Sequence, residues 1–136
     1  MQEYVDLGHM SELHSPIISN SETYYLPHHA VYKSDSSTTK LRVVFDGSSK
    51  YGISTSLNET LLVGPSIQRE LFSTWLRFRR HRYALTGDIE KMFKQIWVSE
   101  KHRDYQRIVW RTSPTEPIRH YALNTVTYGT SCAPYL

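Results

Sequence analysis

Several features are scarce or missing in this sequence. It has one cysteine, Cys132, so it can form neither an internal disulfide nor a cysteine-rich zinc site. No apolar run approaches the roughly 20 residues that a membrane-spanning helix needs. The first ten residues lack the basic and apolar regions of a secretory signal peptide. These absences predict an intracellular protein that is neither secreted nor embedded in a membrane.

Positive charge is missing from residues 1–32, which carry four acidic residues and no Lys or Arg. All 16 Lys and Arg lie in residues 33–136, together with only nine acidic residues. This asymmetry favours an anionic partner for the later region, with nucleic acid as the first candidate. Ordinary solvated charge on a globular domain explains it equally well. The length of 136 residues fits one domain or part of one.

Local patterns in the first half predict a lead-in followed by a hairpin. Residues 1–22 have weak periodicity and are interpreted as a lead-in or linker. The stretches 24–32 and 41–46 are rich in aromatic and β-branched residues, and they predict two strands. The polar residues 33–40 between them would form the turn of the hairpin.

The second half mixes helix and strand signals. Pro65 suits the first position of a helix, which would continue with helical apolar spacing to Phe78. Residues 83–87 predict a short buried strand that ends at Asp88. Residues 105–110 and 119–123 predict two further strands. Arginines cluster at the end of the helix, where they would complement its dipole or, as the less favoured alternative, contact phosphate: Arg77, Arg79 and Arg80.

Three motifs resemble those of retroelement reverse transcriptases, in the order that the family has them. LTGDIEKMFKQI (85–96) resembles the first catalytic motif, with its Asp and an aromatic residue five positions later. KLRVVFDG (40–47) resembles the fingers strand, and YGTSCAP (128–134) resembles the later Gly and Ala-Pro motif. The finer pattern over residues 24–134 is similar to the BEL/Pao group of LTR retrotransposon polyproteins.

The resemblance implies a metal site and a sugar-binding residue. Asp88 would be the first catalytic carboxylate and would bind two Mg²⁺ ions, with the carbonyl of Ile89 also facing a metal. Phe93 would pack under the sugar of the nucleotide and leave no room for a 2′-hydroxyl. Phe93 also suits a core position, and both roles are compatible.

Further residues would surround the incoming nucleotide. Arg42 would reach its triphosphate, because a planar guanidinium suits phosphate oxygens. Either Lys33 or Lys40 would help, and the choice between them stays open. Tyr128 and Gly129 would lie near the nucleotide and the template base, where glycine lets the backbone approach closely.

The family also needs a pair of adjacent aspartates, and this sequence contains no Asp-Asp. We therefore expect a fragment, comprising the fingers and the first part of the palm of a right-hand polymerase. Its fold class would be α/β (α+β), with a fingers hairpin, an incomplete antiparallel palm sheet and packed helices. The boundaries would be 1–22 for the lead-in and 23–136 for the partial domain. We expect no polymerase activity from residues 1–136 alone.

The resemblance also implies partners and a location. The parent would bind an RNA/DNA template-primer, a dNTP and the rest of the polyprotein, in a cytoplasmic particle or the nucleus, with no membrane partner. Two alternatives stay open. The chain could be a non-catalytic nucleic-acid-binding remnant of a retroelement, or an unrelated α/β domain whose motif matches arise by chance.

Overall fold

The computed structural model describes residues 1–14, 23–35 and 41–136, in which five strands form two antiparallel sheets. The strands are β1 (Met10–Leu13), β2 (His28–Tyr32), β3 (Leu41–Phe45), β4 (Arg107–Trp110) and β5 (Arg119–Leu123). The helices are α1 (Gln2–Asp6), α2 (Leu57–Thr60) and α3 (Leu71–Arg79), with two 3₁₀ helices, η1 (Met92–Gln95) and η2 (Glu100–Gln106). Antiparallel sheets combined with helices confirm the mixed α+β class.

The larger sheet has the strand order β1-β5-β4, so β5 is its central strand. Strands β4 and β5 correspond to the two further strands that the sequence predicts, and they pair antiparallel with Ile108 opposite Tyr121. Strand β1 pairs with the other edge of β5 and places Met10 opposite Leu123. The sheet therefore joins residues near the two ends of the sequence.

Residues 1–14 contain regular structure that the sequence analysis did not predict. Helix α1 and strand β1 occupy most of this range, and the Met10 side chain is only 1% exposed. Its sequence, Met-Ser-Glu-Leu, has none of the β-branched or aromatic residues that mark a strand. Its pairing with β5 supplies the backbone hydrogen bonds that order it. The rest of the predicted lead-in, residues 15–22, lies outside the described residues.

The smaller sheet is the predicted hairpin of β2 and β3, in which His28 is opposite Phe45 and Tyr32 is opposite Leu41. Ahead of β2, the chain runs alongside the start of β4. The N–H of Leu26 donates to the carbonyl of Arg107, and the N–H of Arg107 donates to the carbonyl of Tyr24. These bonds attach the base of the hairpin to the larger sheet.

The core lies between the larger sheet and the base of the hairpin. It combines side chains from the strands, from α2 and from the segment before β2: Met10, Leu26, Phe45, Leu57, Ile108, Tyr121 and Leu123. Phe45, the last residue of β3, is 2% exposed. The hairpin therefore contributes to the same core as the sheet.

Two predictions for the middle of the chain are wrong in detail. The predicted helix begins at Leu71 instead of Pro65. Residues 83–87 form no strand, and the Leu85 side chain is fully open to solvent. A short strand needs a neighbour for its backbone hydrogen bonds, and no described strand lies beside this segment. Every residue from 62 to 90 is exposed, including those of α3.

Candidate functional site

Phe93 and Tyr128 belong to two separate motifs of the sequence and pack against each other. Their ring centroids are 4.8 Å apart, and their planes meet at 81°, which is the edge-to-face arrangement that aromatic pairs favour. The Tyr128 side chain is 44% exposed. The pair therefore presents accessible aromatic surface, against which a sugar or a base can pack.

Gly129 brings the loop after Tyr128 against the end of β3. Its φ of 93° lies in the left-handed region, and an added Cβ would overlap the carbonyl oxygen of Phe45. Any other residue would meet both the backbone strain and this overlap. Glycine thus allows the Tyr128 loop to lie directly on the hairpin of β2 and β3.

Asn58 in α2 bonds to both sides of this contact. Its side-chain NH₂ donates to the carbonyl of Gly129 at 2.9 Å and to the hydroxyl of Ser48 at 2.8 Å. Its side-chain oxygen accepts from the N–H of Ser131 at 2.8 Å. Its backbone N–H donates to the carbonyl of Gly47. One residue therefore ties α2 to the turn after β3 and to the Gly129 loop.

A capping box fixes the helical turn that carries Asn58. The hydroxyl of Ser56 accepts from the N–H of Glu59, and the carboxylate of Glu59 accepts from the N–H of Ser56. Lys50 forms an ion pair with Glu59 at 2.5 Å, and its hydrogen bond lowers the pKa of Glu59. Local sequence thus determines where α2 begins and where it presents Asn58.

Lys94 follows Phe93 in η1 and is buried. It is 3% exposed, and its Nζ has no hydrogen-bond partner among the described residues. The Nζ atom lies 4.6 Å from the centroid of the Tyr4 ring and 5.7 Å from that of Phe45. Burial lowers the pKa of Lys94 to about 8. A larger fraction of this amine is therefore neutral near pH 8 than in an exposed lysine.

Helix α1 contacts the same segment. Glu3 forms an ion pair with Lys91 at 2.5 Å, and the hydrogen bond between them lowers the pKa of Glu3 and raises that of Lys91. Burial is the main cause that raises the pKa of Tyr4 and lowers that of His9, with the charge of Lys94 as a further cause for His9. The Nδ1 atom of His9 is buried and has no hydrogen-bond partner in the described part of the chain.

The predicted phosphate-binding residues lie on the hairpin. Arg42 is exposed on β3, opposite Val31 of β2. Lys33 is exposed one residue after the end of β2. Lys40 lies outside the described residues. The described part of the hairpin therefore presents the side chains of Arg42 and Lys33 to solvent.

Asp88 and Ile89 lie in the exposed segment before η1, outside the packed cluster around Phe93. Within residues 1–14, 23–35 and 41–136, no three His, Cys, Asp or Glu side chains come together in a way that could hold a metal. One carboxylate and one backbone carbonyl supply too few ligands for two Mg²⁺ ions, each of which favours six oxygens. These residues do not by themselves fit the pair of ions that the resemblance implies.

Sequence reasoning overlooked two residues of this site. The signal for Asn58 is the Ser-x-x-Glu pattern of residues 56–59, which predicts the start of a helix. No local signal marks Lys94, because lysine is almost always exposed and nothing in its neighbourhood indicates burial. Its position depends on Tyr4 and Phe45, which are distant in sequence.

A scan of the chain against protein-family models finds no match, and a search of curated proteins finds no significant match. None of the helices in the described part of the chain combines the length and the apolar character that a membrane crossing requires.

Proposed function

We propose that the chain is part of a reverse transcriptase of the BEL/Pao type, and that it forms the fingers and the first part of the palm. The observation that carries the proposal is the contact between Phe93 and Tyr128. The resemblance assigns both residues to the surroundings of the nucleotide, although they come from separate motifs. Their contact agrees with a shared binding site.

Two further observations support the proposal. Gly129 lies against the last residue of β3. The motif of residues 128–134 is therefore packed on the strand that carries Arg42. Strand β3, which lies in the motif of residues 40–47, pairs with β2 in a hairpin, as a fingers hairpin requires. The three motifs are thus connected through β3 and the loop of Tyr128.

Each residue has a defined task in this proposal. The Arg42 guanidinium binds phosphate oxygens of the nucleotide, assisted by Lys33 or Lys40. The Phe93 ring packs under the sugar and excludes a 2′-hydroxyl, and Tyr128 limits the movement of that ring. Asp88 contributes one metal ligand in the parent enzyme.

The discrimination between sugars tests the proposal. We expect the chain, mixed with an RNA–DNA template-primer, to bind dATP more tightly than ATP, because Phe93 leaves no room for the 2′-hydroxyl. Phe93→Ala should reduce this preference about tenfold. The measurement is a fluorescence titration with labelled nucleotides.

Phe78→Ala is the matched control, because Phe78 is an exposed aromatic residue on α3. It should leave the preference between the two nucleotides unchanged. Equal binding of dATP and ATP by the unaltered chain would contradict the proposed role of Phe93.

A second candidate function is non-catalytic binding of nucleic acid, and the segment 69–82 favours it. This segment carries five arginines and a single acidic residue, and all of it is exposed. The Arg79 guanidinium lies 5.4 Å from the centroid of the Trp75 ring. Arginines next to exposed aromatic rings are typical of surfaces that bind single strands.

Salt dependence tests this second candidate. Replacing Arg79 and Arg80 by Gln should reduce the slope of log affinity against log salt by about 1.4 for a single-stranded RNA, because each phosphate contact to a single strand contributes about 0.7. Fluorescence anisotropy at several salt concentrations measures the slope. Lys101→Gln with Arg111→Gln removes two exposed charges elsewhere and serves as the control. Equal slopes in the two variants would exclude a special role for the segment.

A further inference from the structure

Helix α1 covers the two lysines that flank Phe93. Glu3 pairs with Lys91, two residues before Phe93, and the Tyr4 ring packs over the Nζ of Lys94, one residue after it. One turn of α1 thus holds both amines. The Glu3–Lys91 pair lies at the surface, whereas the Tyr4–Lys94 contact lies at the edge of the core, beside Phe45.

Both lysines are held in unfavourable states. Lys91 has a φ of 50°, which makes it the only non-glycine residue of the described chain in the left-handed region. Such a conformation persists only where surrounding contacts enforce it. The ammonium of Lys94 is removed from water without a hydrogen-bond acceptor in the described residues. Movement of α1 away from Lys94 would return its ammonium to water.

Helix α1 is short and is held by side chains that are only partly buried. It is five residues long and contains no fully buried residue, and its Tyr4 and Val5 pack against the edge of the core. The attachment point lies just after it, where Asn124 donates from its side chain to the carbonyl of Gly8 and from its backbone to that of His9. Gly8 has a φ of 73°, a conformation that glycine adopts without strain. Between α1 and β1, Gly8 is therefore the residue at which a change of backbone angles would cost least.

We propose that α1 is a strap over Lys91 and Lys94, and that these lysines bind the phosphate groups of a nucleotide when the strap lifts. In the closed state, the Glu3 carboxylate occupies Lys91 as an internal anion. In the open state, two ammonium groups with three donors each lie on either side of Phe93. This inference rests on the proposed function, since that function places the sugar of the nucleotide at Phe93.

Chemical labelling tests the strap without any nucleotide. We expect Glu3→Gln to increase the rate at which an acetylating reagent modifies Lys94 by about threefold, the scale of one exposed ion pair. Mass spectrometry of the peptide that contains Lys94 measures the rate. Glu12→Gln is the matched control, because it breaks another exposed ion pair of the N-terminal region, with Arg119. Equal labelling of Lys94 in the two variants overturns the strap.

Inorganic tripolyphosphate tests the phosphate site. Because it has neither sugar nor base, its binding does not depend on Phe93. The test therefore stays valid even if the chain shows no preference for dATP over ATP. We expect Glu3→Gln to bind tripolyphosphate about threefold more tightly than the unaltered chain, and Lys94→Met in the Glu3→Gln background to remove the gain. Lys91→Met in the same background should also remove the gain in affinity. This second variant keeps the test informative if the Lys94 variant fails to fold. Binding that is unchanged by both methionine substitutions overturns the phosphate site.

Discussion

Lys94 is surrounded by aromatic side chains, with Tyr4 and Phe45 as the rings closest to its amine. Water solvates an ammonium far better than a ring does, so burial favours the neutral form. The attraction between the cation and the two rings offsets part of this cost. The lowered pKa of Lys94 indicates that desolvation prevails. At neutral pH, the residue therefore destabilises the fold that contains it.

We expect Lys94→Met to stabilise the fold at pH 7, because methionine fills a similar volume without a charge. The pKa of Lys94 falls from 10.5 to about 8 on folding, so the charged form opposes folding below pH 8. The corresponding increase in the free energy of unfolding is about 3 kcal/mol at pH 7.

The sign of this effect reverses the usual behaviour of a paired lysine. Between pH 8 and 10.5, the folded state binds fewer protons than the unfolded state, so the unaltered chain becomes more stable as the pH rises. The advantage of Lys94→Met should shrink over the same window. Urea unfolding at pH 7, 9 and 10.5 measures the difference in stability between Lys94→Met and the unaltered chain. A difference that stays constant with pH would contradict the lowered pKa of Lys94.

Elements whose pattern is local could be predicted from the sequence, and those that depend on distant partners could not. The strands of both hairpins have enough β-branched and aromatic residues to be recognised, and the two strands of each hairpin are separated by only eight residues in sequence. Strand β1 has four residues and is ordered by β5, which is far along the chain. The predicted strand 83–87 has a suitable pattern but no neighbour. Local pattern alone could not reveal either outcome.

The candidate site also combines residues in local motifs with residues that are distant in sequence. The motifs identified Phe93, Tyr128 and Gly129, and the structure brings these residues together. Their support from Asn58 comes from hydrogen bonds between elements that are distant in sequence, which no motif marks. The motifs therefore contain the residues of this contact, whereas the bonds that hold them in place depend on tertiary structure.

Helix α2 gives a test of that support. We expect Asn58→Ala to destabilise the fold by about 2–4 kcal/mol, because it removes three side-chain hydrogen bonds at about 1 kcal/mol each. It should also increase hydrogen exchange at the N–H of Ser131, which loses its acceptor. Ser56→Ala removes the cap of the same helix, should cost about 1 kcal/mol, and should leave Ser131 protected. Equal exchange at Ser131 in both variants would contradict the role of Asn58.

On the scale of the whole molecule, one core joins the first strand to the last. Met10, Ile108 and Leu123 lie in the same cluster, while everything from residue 62 to residue 90 lies outside it. Stability is therefore concentrated in the larger sheet and the base of the hairpin. The exposed middle segment contributes little buried apolar area to it.

A pair of methionines tests this distribution. Met10→Ala should destabilise the fold by about 2–5 kcal/mol, because it leaves a cavity in the core. Met92→Ala should cost less than about 1 kcal/mol, since Met92 is 46% exposed. Thermal unfolding of both variants measures the difference. Similar losses in the two variants would show that the core is not concentrated as described.

The register of β1 on β5 has a consequence for the order of events during synthesis. Met10 leaves the ribosome long before its partner Leu123 exists. At about 5–20 residues per second, the interval between them is roughly 6–23 s. Throughout that time, Met10 lacks the strand that covers it. Strand β1 is thus translated well before the strand that orders it, and its pairing waits for β5.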